Sequence, residues 1–217
     1  MRIEVVRSTS MSDRPTLVLF PGLGANERFW DRQRGIPADI VVPRWIKPER
    51  RETLVHYCER MAEFVPRGVD RLYVGGSSFG GMVALEVARL VSPSALLLIA
   101  SCYRAAECRG LWMAPIAPWI PKFVFGLMPL IPVPPGALGK VPPELMQWAP
   151  GAIRQWNFEG HLSCPVHHIH GEYDWMMPLR RLSRRPDTII RGGHLIHLLQ
   201  AEEINTFLTR HVTTSPG

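Results

Sequence analysis

The chain is predicted to fold as one α/β domain, with a mostly parallel central sheet and helices on both faces. Three observations carry this. Short strand-like segments recur along the chain, at Thr16 to Phe20, Arg71 to Val74, Ala95 to Ala100 and Val166 to His170, the first and third of them apolar runs. Segments of helical periodicity lie among them, at Glu52 to Val65 and Phe79 to Val91. The connections are short and rich in glycine or proline. Strands and helices that alternate across short connections build a parallel sheet.

The elements follow in order. Ile3 to Arg7 reads as a first strand, followed by a turn. Thr16 to Phe20 is an unbroken apolar run, the pattern of a strand buried on both faces, and it stops at Pro21-Gly22-Leu23-Gly24. A short helix starts at Glu27, and a strand covers Asp39 to Val42. From Glu52 to Val65 the apolar positions Leu54, Val55, Cys58, Met61, Ala62 and Val65 have helical spacing, and Pro66-Arg67-Gly68 ends the run. The strand Arg71 to Val74 and the helix Phe79 to Val91 are joined by Gly75-Gly76-Ser77-Ser78. Ala95 to Ala100, Val166 to His170 and Asp187 to Ile190 are further strands, and a last helix runs from about Leu195 to Arg210. Tyr103 to Gly160 breaks the alternation: it is rich in proline and tryptophan. A connection that long is seldom passive in a compact domain, so a small cap is expected at about 103–160. Its prolines argue against long regular helices there.

Composition narrows the function classes. The 217 residues, 46% of them hydrophobic, are enough for one domain with a full core. The formal charge is +6, but the basic residues form only local pairs, at Arg50-Arg51, Arg180-Arg181 and Arg184-Arg185. Without a basic stripe or interleaved aromatics this is a solvated surface, not a nucleic-acid face. The longest apolar stretches, Ala95 to Ala100 and Phe123 to Val133, are too short to span a bilayer, and Pro129 and Pro132 break the second. Met1 to Ser10 has no apolar core of the secretory type. The four cysteines have no CxxC or zinc-type spacing, so free thiols in a reducing cytoplasm are expected in preference to a Cys102–Cys108 bridge.

Four segments carry chemistry. Gly76-Ser77-Ser78-Phe79-Gly80 matches G-x-S-x-G between a strand and a helix. A nucleophilic serine must stand on a tight turn there, and glycines on either side clear its strained backbone. Ser77 does not fit, because Phe79 occupies the second position after it. A phosphate-binding turn is the rival, but no GxGxxG or Walker-type lysine is present. Phe20-Pro21-Gly22-Leu23-Gly24 ends the early strand. Its Leu23 N–H, with that of Phe79, is placed to hold an oxyanion; an ordinary βα turn is the alternative. In His170-Gly171-Glu172-Tyr173-Asp174, Asp174 or Glu172 is placed to orient an imidazole. Gly192-Gly193-His194 offers His194 as general base, whereas His197 falls in the following helix, where packing is its expected role. His167, His168 and His170 do not form a metal set: His168 and His170 share one strand face, and no acid or cysteine completes the ligands. They are read as satisfied core or edge histidines.

These segments resemble the α/β-hydrolase superfamily, in its group of small carboxylesterase-like serine hydrolases with a reduced cap. The likeness covers Thr16 to Gly24, Arg71 to Ala88, Pro165 to Pro178 and Ile190 to Leu208. The order Ser78, Asp174, His194 is that of the α/β-hydrolase fold. The family's G-x-x-D-x-x-x-P pattern is met by Gly171, Asp174 and Pro178, which favours Asp174 over Glu172. Its G-G-H pattern is met by Gly192-Gly193-His194, with Glu202-Glu203 in the helix beyond. Many relatives carry a histidine where this chain has Pro21, and only 19 residues separate Asp174 from His194, room for a reduced helix.

The resemblance implies hydrolysis of a small-molecule carboxylic ester by a Ser-His-Asp triad, with no cofactor or metal, no nucleic-acid partner and no membrane insertion. Thioesterase, lactonase, perhydrolase or hydroxynitrile lyase chemistry on the same triad, or a non-catalytic binding protein, are the alternatives. Trp112, Trp119, Phe123, Phe125 and Trp148 either line a substrate pocket under the cap or form the cap's own core.

Overall fold

The computed structural model describes residues 14–109, 134–139 and 141–213. The expected strand Ile3 to Arg7 and the aromatics Trp112, Trp119, Phe123 and Phe125 lie outside the described residues. Among those described, the strands are β1 (Thr16–Phe20), β2 (Asp39–Val41), β3 (Leu72–Ser77), β4 (Ala95–Ile99), β5 (Val166–Gly171) and β6 (Thr188–Ile190). They form one sheet in the order β2-β1-β3-β4-β5-β6. Every pairing is parallel. The register sets Phe20 beside Gly76 and Ser77 beside Ile99, so the carboxyl ends of the central strands meet along one edge. Open parallel sheets bind their ligands at that edge.

Residue parity divides the core. Val18, Phe20, Val74, Leu96 and Leu98 face one layer, with α1 (Leu54–Ala62) and α2 (Phe79–Val91). Leu17, Leu19, Tyr73, Leu97 and Ile99 face the other. A strand alternates its side chains between two covered faces, so these positions are apolar throughout. Thr53 caps α1, its hydroxyl accepting from the His56 N–H at 3.2 Å. α2 begins directly after the Gly75-to-Ser78 stretch and ends at Ser92, which takes the left-handed conformation with φ 45°.

The structure differs from the sequence expectations in two places. The last helix is two, α4 (Ile196–Leu199) and α5 (Ala201–Thr213), separated by Gln200 at φ −119° and ψ 48°. The break lets Ile196 and Leu198 pack inward from α4, while Ile204, Phe207, Leu208 and Val212 form the buried stripe of α5. The segment expected to form a cap also contains a regular helix, α3 (Pro143–Arg154), despite Pro150 within it. Leu145, Ala149 and Ile153 are buried in the main core, and that burial offsets the backbone hydrogen bond Pro150 cannot make. All four cysteines are free, with the Cys102 and Cys108 sulfurs 3.2 Å apart. Among the described residues no helix is long and apolar enough to cross a membrane.

Candidate active site

Ser78 stands between β3 and α2 with φ 55° and ψ −120°, a region few non-glycine residues enter. Such a conformation persists only where surrounding structure holds it. Here the Ser78 N–H donates to the Ile99 carbonyl at 3.0 Å, and the Ser101 hydroxyl donates to the Ser78 carbonyl at 2.8 Å. The flanking glycines make room for the turn. A Cβ on Gly76 would meet the Gly80 carbonyl, one on Gly80 the Phe20 and Pro21 carbonyls, and one on Gly81 the Ser101 hydroxyl. Ser77 is buried within β3 and its hydroxyl has no partner among the described residues.

Ser78 Oγ lies 2.8 Å from His194 Nε2, and His194 Nδ1 lies 2.7 Å from Asp174 Oδ2. The three residues come from three loops at the carboxyl edge of the sheet, after β3, β5 and β6. Asp174 Oδ1 accepts from the Met176 and Met177 N–H groups at 2.9 and 2.8 Å. Burial works against ionising this carboxyl. Hydrogen bonding from His170 and His194, the charge of His194 and the Met177 N–H outweigh it, and hold Asp174 well below the usual carboxylate range. Glu172, the alternative acid, is exposed, and it is Asp174 that His194 Nδ1 meets.

The Leu23 loop is fixed by segment 134–139. The Asn26 N–H donates to Ala137 O at 2.9 Å, its side-chain amide to Gly136 O at 2.6 Å, and the Gly139 N–H to Gly24 O at 3.2 Å. Ala25 and Leu138 form an antiparallel bridge. Segment 134–139 thus clamps the residues next to Leu23. Neither the Leu23 nor the Phe79 N–H has an acceptor among the described residues. Gly24 has φ +80°, the left-handed turn that follows Leu23.

Trp148 lies elsewhere. Its ring packs against Tyr57 at a 40° tilt and its indole N–H donates to the Glu52 carbonyl at 2.8 Å. It lines a cleft of about 510 Å³ between α1 and α3, whose walls include none of Ser78, Asp174, His194 or Leu23. Sequence reasoning did not anticipate the knot beside it, where Glu49, Glu52 and His56 bring ligating atoms within 4.8 Å of one another. Glu52 is saturated there. It accepts from Arg60 at 2.8 and 2.9 Å, from the Glu49 N–H at 2.7 Å, and pairs with His56 Nδ1 at 2.8 Å. The guanidinium already neutralises the carboxylate, so this is an ion-pair knot that fastens the start of α1.

The remaining histidines divide in two. His167 stacks on His211 with ring centroids 3.7 Å apart. His168 and His170 are buried and face each other, with His168 Nε2 3.2 Å from His170 Nδ1. His168 is therefore not fully satisfied, since its Nδ1 has no partner among the described residues. His197 is buried in α4, as the packing expectation has it, and lies 3.8 Å from the Phe29 ring, centroid to centroid. Burial, with His170 beside it, pushes His168 down to about 3, and burial pushes His197 well below the usual histidine range. These rings stay neutral in the folded chain at pH values where the unfolded chain protonates them. The unfolded state then binds more protons, so stability falls as pH drops below about 6.5. Urea unfolding is expected to show a lower midpoint at pH 5 than at pH 7.5. Each fully buried imidazole contributes a slope of up to about 1.4 kcal/mol per pH unit. A midpoint that is flat or higher at pH 5 refutes the assignment of neutral buried rings.

No curated protein matches the sequence. Several solved structures share the fold. A lipase-esterase related protein from Clostridium acetobutylicum has a TM-score of 0.68 at 14% identity, over 91% of this chain and 95% of that one. A thermophilic esterase from Thermogutta terrifontis has 0.62 at 19%, over 92% and 91%. A thioesterase from the prodiginine biosynthetic pathway in Streptomyces coelicolor has 0.59 at 17%, over 94% and 87%. At these identities the likeness establishes architecture alone. The family profile described as "Alpha/beta hydrolase family" matches residues 17–207, a span that begins in β1 and ends in α5. The chain belongs to the alpha/beta hydrolase family.

Proposed function

We propose that this protein is a serine hydrolase that cleaves carboxylic esters of small to medium size, with Ser78 as nucleophile, His194 as general base and Asp174 as its orienting acid. The observation that carries the reading is the continuous hydrogen-bonded line from Ser78 Oγ through His194 to Asp174, set on a strained strand-to-helix turn. Ordinary polar packing does not need a serine in that conformation, and nucleophile presentation does. In the reaction His194 Nε2 takes the Ser78 proton as Oγ attacks the carbonyl carbon. The Leu23 and Phe79 N–H groups hold the oxygen as it becomes negative. Collapse breaks the bond to the leaving oxygen, which takes the proton from His194. Water, deprotonated by His194, then attacks the acyl-enzyme and releases the acid and free Ser78. The region 103–160 acts as a cap on the same domain, and its 134–139 segment supports this reading by pinning the Leu23 loop.

The test is covalent. A fluorophosphonate probe is expected to label the wild-type protein, and Ser78→Ala to abolish both the label and the turnover of p-nitrophenyl acetate and butyrate. Labelling or turnover that persists in folded Ser78→Ala overturns the nucleophile assignment. Thioesters and lactones meet the same catalytic groups, so a matched panel of acetyl esters, acetyl thioesters and simple lactones ranks the leaving group. The highest kcat/KM is expected for the esters.

A further inference from the structure

His170 does more than fill the core. Its ring is fully buried, with Nε2 2.8 Å from the Met177 carbonyl and 3.3 Å from Asp174 Oδ2. A carbonyl oxygen only accepts, so Nε2 carries the hydrogen. His170 Nδ1 then faces His168 Nε2 as an acceptor. Placing the His168 hydrogen on Nε2 completes that bond and leaves only a lone pair at the unpartnered His168 Nδ1, the cheaper atom to leave unpaired. The tautomers of both rings follow from one carbonyl. The groups around this array are few: Asp174 and His194 on the loops above, His168 on the same strand, and Asp187, whose carboxylate accepts the His168 backbone N–H at 2.8 Å. His197 lies close enough to His194 for its own charged form to be disfavoured.

The turn from Asp174 to Met177 is thereby held at both ends. Asp174 Oδ1 takes the two N–H groups of Met176 and Met177, while His170 takes the Met177 carbonyl and sets a second N–H dipole beside Oδ2, the oxygen that meets His194. We propose that His170 is a positioning residue for the catalytic acid: it fixes the 174–177 turn and shares Oδ2 with His194, so that it sets how strongly the carboxylate holds the imidazole. This rests on the serine-hydrolase reading above. The strand position just before the G-x-x-D pattern, read from sequence as core, becomes part of the machinery through the chain's return at Met177.

Three variants test it. His170→Phe keeps the ring volume and removes both the Nε2 donor and the Nδ1 acceptor. His170→Gln reaches as far as Nε2 and restores an N–H, whereas His170→Asn stops at the Nδ1 position and does not. In His170→Phe, kcat is expected to fall about tenfold with KM within twofold, the pattern of a contact that matters in the transition state. The acidic limb of the kcat/KM profile is expected to move to higher pH by half a unit or more. The unshared carboxylate attracts the imidazolium more strongly, so His194 gives up its proton less readily. His170→Gln is expected to recover most of the rate and the wild-type limb. His170→Asn is expected to behave as His170→Phe, and it carries the comparison if the phenylalanine variant does not fold. Because His170 acts through Asp174, adding His170→Phe or His170→Asn to Asp174→Asn is expected to cost no more than twofold further.

An unchanged kcat and limb in the folded Phe or Asn variant overturns the proposal. So does a loss that glutamine fails to rescue, or one that multiplies fully with Asp174→Asn. Failure of the triad itself looks different, because then Ser78→Ala retains turnover, or Asp174→Asn alone leaves kcat unchanged.

Discussion

Asp174→Asn is expected to lower kcat by about 10³–10⁴-fold while leaving KM within a few-fold, the loss typical when the orienting acid of a triad becomes an amide. The hydrogen bonds dictate the reason. Asp174 Oδ1 accepts two backbone N–H groups, from Met176 and Met177. An asparagine must keep its oxygen there, since its NH₂ would otherwise face two donors. The amide nitrogen is then turned to His194 Nδ1 and His170 Nε2, where the carboxylate oxygen lay. His194 can meet that donor only by moving its own hydrogen to Nε2. The hydrogen then points at Ser78 Oγ, 2.8 Å away, and the imidazole no longer accepts the serine proton. The fold is expected to survive, because shape and both Oδ1 bonds are retained. Steady-state kinetics with p-nitrophenyl butyrate beside a urea melt make the comparison. A folded variant within tenfold of wild-type kcat removes Asp174 from the mechanism.

Gly80→Ala is expected to be among the most damaging single methyls at the described residues. The added carbon would lie against the Phe20 and Pro21 carbonyls and 2.6 Å from the Phe20 carbonyl carbon, all of them main-chain atoms. No flexible side chain can yield, so either β1 or the start of α2 must move. Overpacking a closed site typically costs about 1–3 kcal/mol even where side chains can adjust. Here the loss should reach the upper end or beyond. Because the displaced segments carry Leu23 and Phe79, activity should fall in whatever protein remains folded. Gly151→Ala supplies the contrast. That glycine lies within α3 with nothing within 4 Å of its would-be Cβ. The same methyl there is expected to stabilise by about 0.5–1 kcal/mol through helix propensity alone. Denaturant midpoints of the two variants provide the measurement. A Gly80→Ala protein as stable as wild type would show that the turn has slack the close contacts deny.

Much of this site is legible in one dimension because its requirements are local. A nucleophile turn needs glycine two residues before and two after the serine. Those distances are fixed by the turn, so Gly76, Ser78 and Gly80 stand out in the sequence, as does the helix from Phe79 to Val91. The sheet is legible for a similar reason: strands covered on both faces are apolar at every position, as Leu17 to Phe20 and Leu96 to Ile99 are. The choice of Asp174 over Glu172 needed the longer G-x-x-D-x-x-x-P resemblance, since each acid taken alone suits a loop after a strand. The two N–H groups behind Asp174 Oδ1 come from the turn that follows it, at Met176 and Met177.

Other features lay beyond any local rule. A helix through Pro150 is disfavoured by its own sequence, and it forms because Leu145, Ala149 and Ile153 are buried in the core that α1 shares. Trp148 has the composition of a pocket aromatic, yet its indole bonds to Glu52, 96 positions away. Nothing near Leu23 in the chain announces that segment 134–139 holds its loop. The role proposed for His170 likewise depends on the Met177 carbonyl folding back onto it.

The sequence by itself determined the parallel α/β architecture and singled out Ser78 and His194 as the nucleophile and base of a candidate triad, because periodicity and turn chemistry are properties of neighbouring residues. The tertiary structure alone decided what stands behind them: segment 134–139 against the Leu23 loop, the aromatic partner of Trp148, and the imidazole pair beneath Asp174. Those depend on pairings between residues far apart in the chain, which form only when burial of the core brings the segments together.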